Sequence, residues 1–299
     1  MRVLELFCGI GGCAAALGPN DTVVAAVDQN RAALSVYTAN FPHPVRPALV
    51  ESIPDADWRA WTSDVWWMSP PCPPYTRRGL RRDLDDPRAR SVLALLDRIE
   101  RECPAAVALE NVAGFAGSRA HEALRAVLAR GHYDVRETQL CPNELGLPNR
   151  RPRFYLVASR EGLQEWPARA GSPCALHSLL DRQPDPELWC DTALPARYPH
   201  ALDIADPADP DAVTACFTAA YGRSPVRSGS YVKTPTGLRR CSPAEILRLL
   251  GFPASFRLPP DLPRRTAWSL VGNSVSVRAV RWVLTAVRPP DGLGDRVGS

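Results

Sequence analysis

The feature that most narrows the fold is an alternation running from residue 2 to residue 159. "RVLEL" reads as a short buried strand, followed by the glycine turn "FCGIGG" and an alanine-rich helix, "CAAALG". "TVVAAVD" is a second buried strand ending in Asp28, with a helix in "QNRAALSVYTANF" after it. "DVWWMS" and "AAVALENV" add strands, "RSVLALLDRIERE" and "AHEALRAVLARG" add helices, and "YDVRETQL" with "RFYLVAS" forms a final strand pair. Apolar strands separated by helices need cover on both faces. The pattern therefore predicts an α/β fold with a doubly wound, mainly parallel sheet.

Past Ser159 the alternation stops. Residues 160–235 are rich in Pro and Asp, yet Trp, Leu and Tyr recur in them, which predicts a smaller irregular lobe and not a linker. "SPAEILRLLGFP" carries a Ser-x-x-Glu capping box and a Gly-Phe-Pro stop, so both ends of a helix are marked. "VSVRAVRWVLTAV" is a final amphipathic helix, and residues 291–299 read as a disordered tail. A chain of 299 residues accommodates one large domain plus such a lobe.

The glycine turn lies where a strand feeds a helix, and Asp28 ends the next strand. That arrangement lets backbone approach a nucleotide-type cofactor while a carboxylate holds ribose hydroxyls, with NAD and S-adenosylmethionine both open on this motif alone. Cys72 follows the strand "DVWWMS" and sits among Pro70, Pro71, Pro73 and Pro74. An inert half-buried thiol is the ordinary fate of a cysteine, but proline on both sides suits neither a helix nor a ladder. A rigidly mounted thiol at the carboxyl end of a parallel strand reads as a nucleophile. Glu110 leaves the buried run "AAVAL" at the same sheet edge, which raises its pKa and equips it to hydrogen-bond a pyrimidine ring. Arg151 and Arg153 lie two apart and share a face if extended.

Nine cysteines with no CxxC pair, and few histidines, argue against zinc and fit reduced thiols in a cytoplasmic protein. No run approaches the ~18 apolar residues of a membrane span. The formal charge of +4 permits a nucleic-acid partner without requiring one, and Lys233 is the one lysine, so the positive charge is almost all arginine.

In this order, "FCGIGG", "SPPC", "ENV", "NRRPR" and "VGNSV" resemble motifs of the cytosine-5 methyltransferase family. The resemblance runs from residue 1 to about 285 outside the variable lobe, and it implies a Rossmann-like S-adenosylmethionine-dependent methyltransferase with a small target-recognition lobe. It divides the chain into a catalytic, cofactor-binding domain of residues 1–159 and 262–290 and a target-recognition lobe of residues 160–261. It also implies a mechanism. Cys72 would add to carbon 6 of a flipped cytosine, Glu110 would bond ring nitrogen 3 and the amino group, and Arg151 and Arg153 would hold the base carbonyl and support the thiolate. S-adenosylmethionine would lie over Phe7, Ile10, Gly11 and Gly12, with Asp28 on the ribose and Val50 and Glu51 on the adenine side. Ser69, Asn273 and Ser274 would flank the methionine portion.

"ACFTAAYGRSPVRSGSYVK" and "LGLPNRRPRFYLVA" look closest to the branch that methylates cytosine 38 of tRNA-Asp, which implies a tRNA partner, with DNA as the alternative, and a monomer. Cys216, Phe217, Thr218 and Tyr221 would then bind substrate. So would Arg77, Arg78, Arg81 and Arg82, in a loop expected to be mobile without substrate and to contact the backbone of the flipped nucleotide. One departure stands out. Pro73 follows the cysteine where the family usually carries glutamine.

Overall fold

The computed structural model describes residues 1–72, Tyr75 and 83–288. Its main sheet has seven strands: β1 (Arg2–Leu6), β2 (Thr22–Asp28), β3 (Val45–Pro47), β4 (Val65–Met68), β5 (Ala106–Val112), β6 (Asp134–Leu140) and β7 (Arg153–Ser159), in the order β3-β2-β1-β4-β5-β7-β6. All pairings are parallel except those of β7, which runs antiparallel to both β5 and β6. The carboxyl ends of β1, β2, β4 and β5 therefore share one edge. The reversed β7 begins at that edge and brings Arg153 opposite Val112.

Side chains alternate across the sheet. Leu4, Leu6, Trp66, Met68, Val107, Leu109 and Leu156 face α2 (Asp55–Ala60), α3 (Arg90–Glu102) and α4 (Arg119–Arg130). The face of α3 that carries Val92, Leu95, Leu96 and Ile99 is buried there, worth about 1.5–3 kcal/mol per large side chain. Val3, Val65, Trp67, Ala106, Ala108 and Val157 face the other way, toward α1 (Arg31–Thr38) and the last helices.

The lobe does contain regular structure: α5 (Leu194–Arg197) and a three-stranded sheet of β8 (Asp203–Ala205), β9 (Ser230–Thr234) and β10 (Gly237–Arg240), in which β9 and β10 form an antiparallel hairpin. α6 (Pro243–Leu249) has the expected capping box, Ser242 with Glu245, and Gly251 follows it at φ +81°. Glu245 also pairs with Arg239 at 2.7 Å, both buried. α7 (Arg264–Asn273) and α8 (Val277–Leu284) complete the chain, and α8 packs against β7 and the turn after β1. The apolar cluster on this face runs without a break from the sheet into Phe217, Val232, Ile246, Leu249 and Trp268 of the lobe and α7.

One expectation is corrected. "CAAALG" is no α-helix. Only Ala14–Ala16 curls, as a 3-10 turn, because Gly18-Pro19 stops it within one turn. β3 and α7 went unrecognised: β3 ends in a proline, and α7 hides its period, although Ala267, Trp268, Leu270 and Val271 line one buried face. No helix among the described residues is long and apolar enough to cross a membrane.

Candidate active site

The glycine turn is shaped by its neighbours. Phe7, Gly9 and Gly11 have φ values of +57°, +54° and +92°. Such backbone favours glycine and strains Phe7. Gly9 donates its N–H to Asp28 at 2.9 Å, and Asn30 donates to the other oxygen of the same carboxylate at 2.8 Å. Burial raises the Asp28 pKa, and those two bonds pull it back. A side chain at Gly11 would overlap the Phe41 ring, and one at Gly12 would overlap Val275 and come within 3.3 Å of Ser274 Oγ. At Gly9 a Cβ would meet nothing within 4 Å. This is an open cradle beside an acidic strand end, and it suits a nucleoside-bearing cofactor.

The other expected cofactor residues divide. Ser69 reaches the end of β1 through its N–H to Leu6 at 3.3 Å and accepts from Trp67 at 2.9 Å. Glu51 and Asn273 are exposed, and Ser274 is buried beside Gly12. Ile10 and Val50 are buried in the core clusters, and Phe7 packs partly buried against one of them.

Cys72, Glu110 and Arg153 converge at the edge where β4 and β5 end. Arg153 Nε lies 3.1 Å from Glu110 Oε1, an ion pair whose N–H is not aligned as a hydrogen bond. Burial raises the Glu110 pKa, with Arg153 and Arg151 opposing. The Cys72 thiol is pushed up to about 11 by burial and then by Glu110, against the pull of Arg153 and Arg151. Two contacts missing from the sequence reading set the nucleophile's position. Asn111 Nδ2 donates to the Pro70 carbonyl at 3.2 Å, and Tyr75 donates its N–H to the Cys72 carbonyl at 2.9 Å. The Tyr75 ring meets Phe115 edge-on at 5.0 Å, and its buried hydroxyl has no hydrogen-bond partner among the described residues. Asn111 is the middle residue of "ENV" and Tyr75 follows the prolines around Cys72, so both carried a local signal.

Arg151 reaches across to the lobe and to the last helices. Its guanidinium donates to the backbone carbonyls of Phe217 (2.7 Å), Gly272 (3.0 Å) and Ser274, which leaves its buried Nε unpaired. It braces the lobe against the segment that holds Ser274. Gly272 makes the approach possible, since a side chain there would overlap the Thr218 backbone.

Cys216 lies between the two arginines, 3.3 Å from Arg151 Nη1 and 3.8 Å from Arg153 Nη2. Burial would raise its pKa, but Arg151 and then Arg153 outweigh burial, and the thiol is lowered. Thr218 is half-buried, its N–H bound to Ser228 at 2.8 Å. Phe217 and Tyr221 pack inside the lobe. Both are buried, their rings meet at 90° and 4.9 Å, and the Tyr221 hydroxyl is used up by Ser230 and Cys241. Pro73, Arg77, Arg78, Arg81 and Arg82 lie outside the described residues. Just after them, Asp83 accepts from the N–H groups of Arg119 (2.6 Å) and Ala120 (3.2 Å) at the start of α4.

A mainly parallel sheet with one reversed strand and a glycine cradle at its edge define a methyltransferase fold. The chain belongs to the C-5 cytosine-specific DNA methylase family, whose model matches residues 1–183. It is 29% identical to the tRNA (cytosine(38)-C(5))-methyltransferase of Spodoptera frugiperda, over 95% of this chain and 98% of that protein. It is 28% identical to a DNA (cytosine-5)-methyltransferase of Dictyostelium discoideum, over 97% and 95%. The solved structure of the Entamoeba histolytica methyltransferase EhMeth matches with a TM-score of 0.88 at 25% identity, over 95% of this chain and 96% of that one.

Proposed function

We propose that this protein methylates carbon 5 of cytosine 38 in the anticodon loop of tRNA-Asp. The observation that carries the chemistry is the meeting of Cys72, Glu110 and Arg153 at one sheet edge. Cys72 Sγ gives up its proton to water and bonds to carbon 6 of the flipped cytosine, so that electron density moves to carbon 5. Glu110, its pKa raised by burial, hydrogen-bonds ring nitrogen 3 as charge develops there. Arg153 holds Glu110 and favours the Cys72 thiolate. The glycine turn and Asp28 would hold S-adenosylmethionine, which when bound would supply the methyl group and leave as S-adenosylhomocysteine. Loss of the carbon 5 proton to a base then restores the ring and breaks the bond to Cys72.

The choice of tRNA is supported by the names of curated relatives and by the Cys216-Phe217-Thr218 segment beside the active-site arginines. We assign residues 1–159 and 262–290 to the catalytic unit and 160–261 to the target lobe, in a monomeric enzyme of the cytoplasm. All nine cysteines are free, as a reducing compartment keeps them. The test is methyl transfer from labelled S-adenosylmethionine to a tRNA-Asp transcript, its C38→U variant and duplex DNA. Label is expected in the first alone, and label in DNA alone overturns the tRNA reading.

A further inference from the structure

The glycine turn rests on a carboxyl group that no step of the reaction uses. Glu5 projects from β1 toward α1 and is 1% exposed. Its Oε1 accepts from the backbone N–H groups of Cys13 (3.2 Å) and Ala14 (3.4 Å). These residues open the 3-10 turn that ends the glycine segment, a turn without a side-chain cap of its own. Oε2 pairs with the Tyr37 hydroxyl at 3.0 Å, and that hydroxyl lies 3.0 Å from His43 Nδ1. Tyr37 and Phe41 are also the rings that press on Gly11. One carboxyl thus fixes both the end of the turn and the wall against which its middle is packed.

We infer that Glu5 is a positioning residue for the cofactor, a buried acceptor that holds the glycine turn in its receiving shape and ties it through Tyr37 to α1. The inference rests on reading that turn as the S-adenosylmethionine seat. A buried carboxyl without a cation is costly unless its bonds serve a purpose. No cation offsets the burial that pushes Glu5 up to about 8. The titratable groups facing it are Tyr37 from α1, Asp28 from the end of β2, and the Cys8 and Cys13 thiols of the turn. Oε1 accepts from the two turn N–H groups and Oε2 from the Tyr37 hydroxyl, so both oxygens of Glu5 are engaged. Glutamine at position 5 keeps both contacts, its carbonyl accepting from the turn and its amide donating to the Tyr37 hydroxyl, which can then donate to His43 Nδ1. Leucine does not.

The experiment measures S-adenosylhomocysteine affinity by calorimetry, tRNA-Asp transcript affinity by filter binding, and the melting temperature of each variant. Glu5→Gln is expected within about 3-fold of wild type for S-adenosylhomocysteine, and Glu5→Leu weaker by about 10-fold or more. Tyr37→Phe keeps the ring that fills the core, and so guards against a variant that does not fold. It is expected to weaken S-adenosylhomocysteine about 3- to 10-fold with transcript affinity unchanged. KM for S-adenosylmethionine rises in step while kcat at saturation holds. Three results overturn the inference: wild-type affinity in folded Glu5→Leu, no rescue by Gln, or a parallel loss of both affinities in Tyr37→Phe. A wild-type chain that binds no S-adenosylhomocysteine overturns the seat and the inference together. A chain that binds it and methylates only DNA removes the tRNA reading and leaves Glu5 its role.

Discussion

Two cysteines share one pair of arginines and are driven in opposite directions. Cys72, at the end of β4, is raised to about 11 by burial and Glu110. Cys216, in the lobe, is lowered because both guanidinium groups lie within 4 Å of its sulfur. The difference teaches that positive charge in this site is aimed first at the lobe cysteine and at Glu110. The strand-edge cysteine therefore rests as a thiol. On the proposed mechanism, a flipped cytosine entering between Glu110 and Cys72 would change the balance there, so that the thiolate forms where it is consumed.

The largest test of this contrast is removal of each sulfur. Cys72→Ala is expected to lower single-turnover methylation by about 10^4-fold or more, the scale of losing a nucleophile. Cys216→Ser is expected to lower it only about 10-fold. Equal losses break the contrast. Next comes Arg153→Met, which leaves Glu110 without its ion pair and is expected to lower kcat/KM by about 10^2- to 10^3-fold. The same variant should slow alkylation of Cys216, and unchanged alkylation would show that Arg151 alone holds that thiolate.

A subtler test follows iodoacetamide labelling of the free enzyme by peptide mass. A thiol of pKa about 11 is roughly 0.1% thiolate at pH 8, so Cys72 labelling should climb about tenfold per pH unit and level off only near that value. Cys216 should level off at lower pH, and a reversed order sinks the assignment. The smallest effect is expected at Tyr75, which anchors the Cys72 side alone. Tyr75→Phe removes a buried hydroxyl that has no partner among the described residues and should stabilise the fold by about 1 kcal/mol, or about 2 °C in Tm. A fall in Tm would reveal a hydrogen bond to that hydroxyl.

Much of this was legible in the sequence because period and punctuation are local. The run of strands, the capped α6 and the placing of Cys72 and Glu110 at strand ends all followed from neighbours within about ten residues. What stayed hidden depends on distant partners. Arg151 read as a ligand of the base because its carbonyl partners lie 66, 121 and 123 residues away. Phe217 and Tyr221 sat in a motif and read as contacts, but the aromatic stack from Phe217 through Tyr221 to Trp268 claims them for the core. Glu5 went unremarked inside "RVLEL", where strand periodicity says which face a residue takes and nothing about what waits there.

The Arg151 brace also sets an order of assembly. A chain emerging amino end first can lay down β1 through β5 and expose Cys72 and Glu110 well before Gly272 and Ser274 exist. Until those carbonyls arrive, the guanidinium has no place to dock and the Cys216 segment has nothing to lean on. Nascent chains halted short of Ser274 should therefore carry the nucleophile without a finished site, so that competence arrives only with the last two helices.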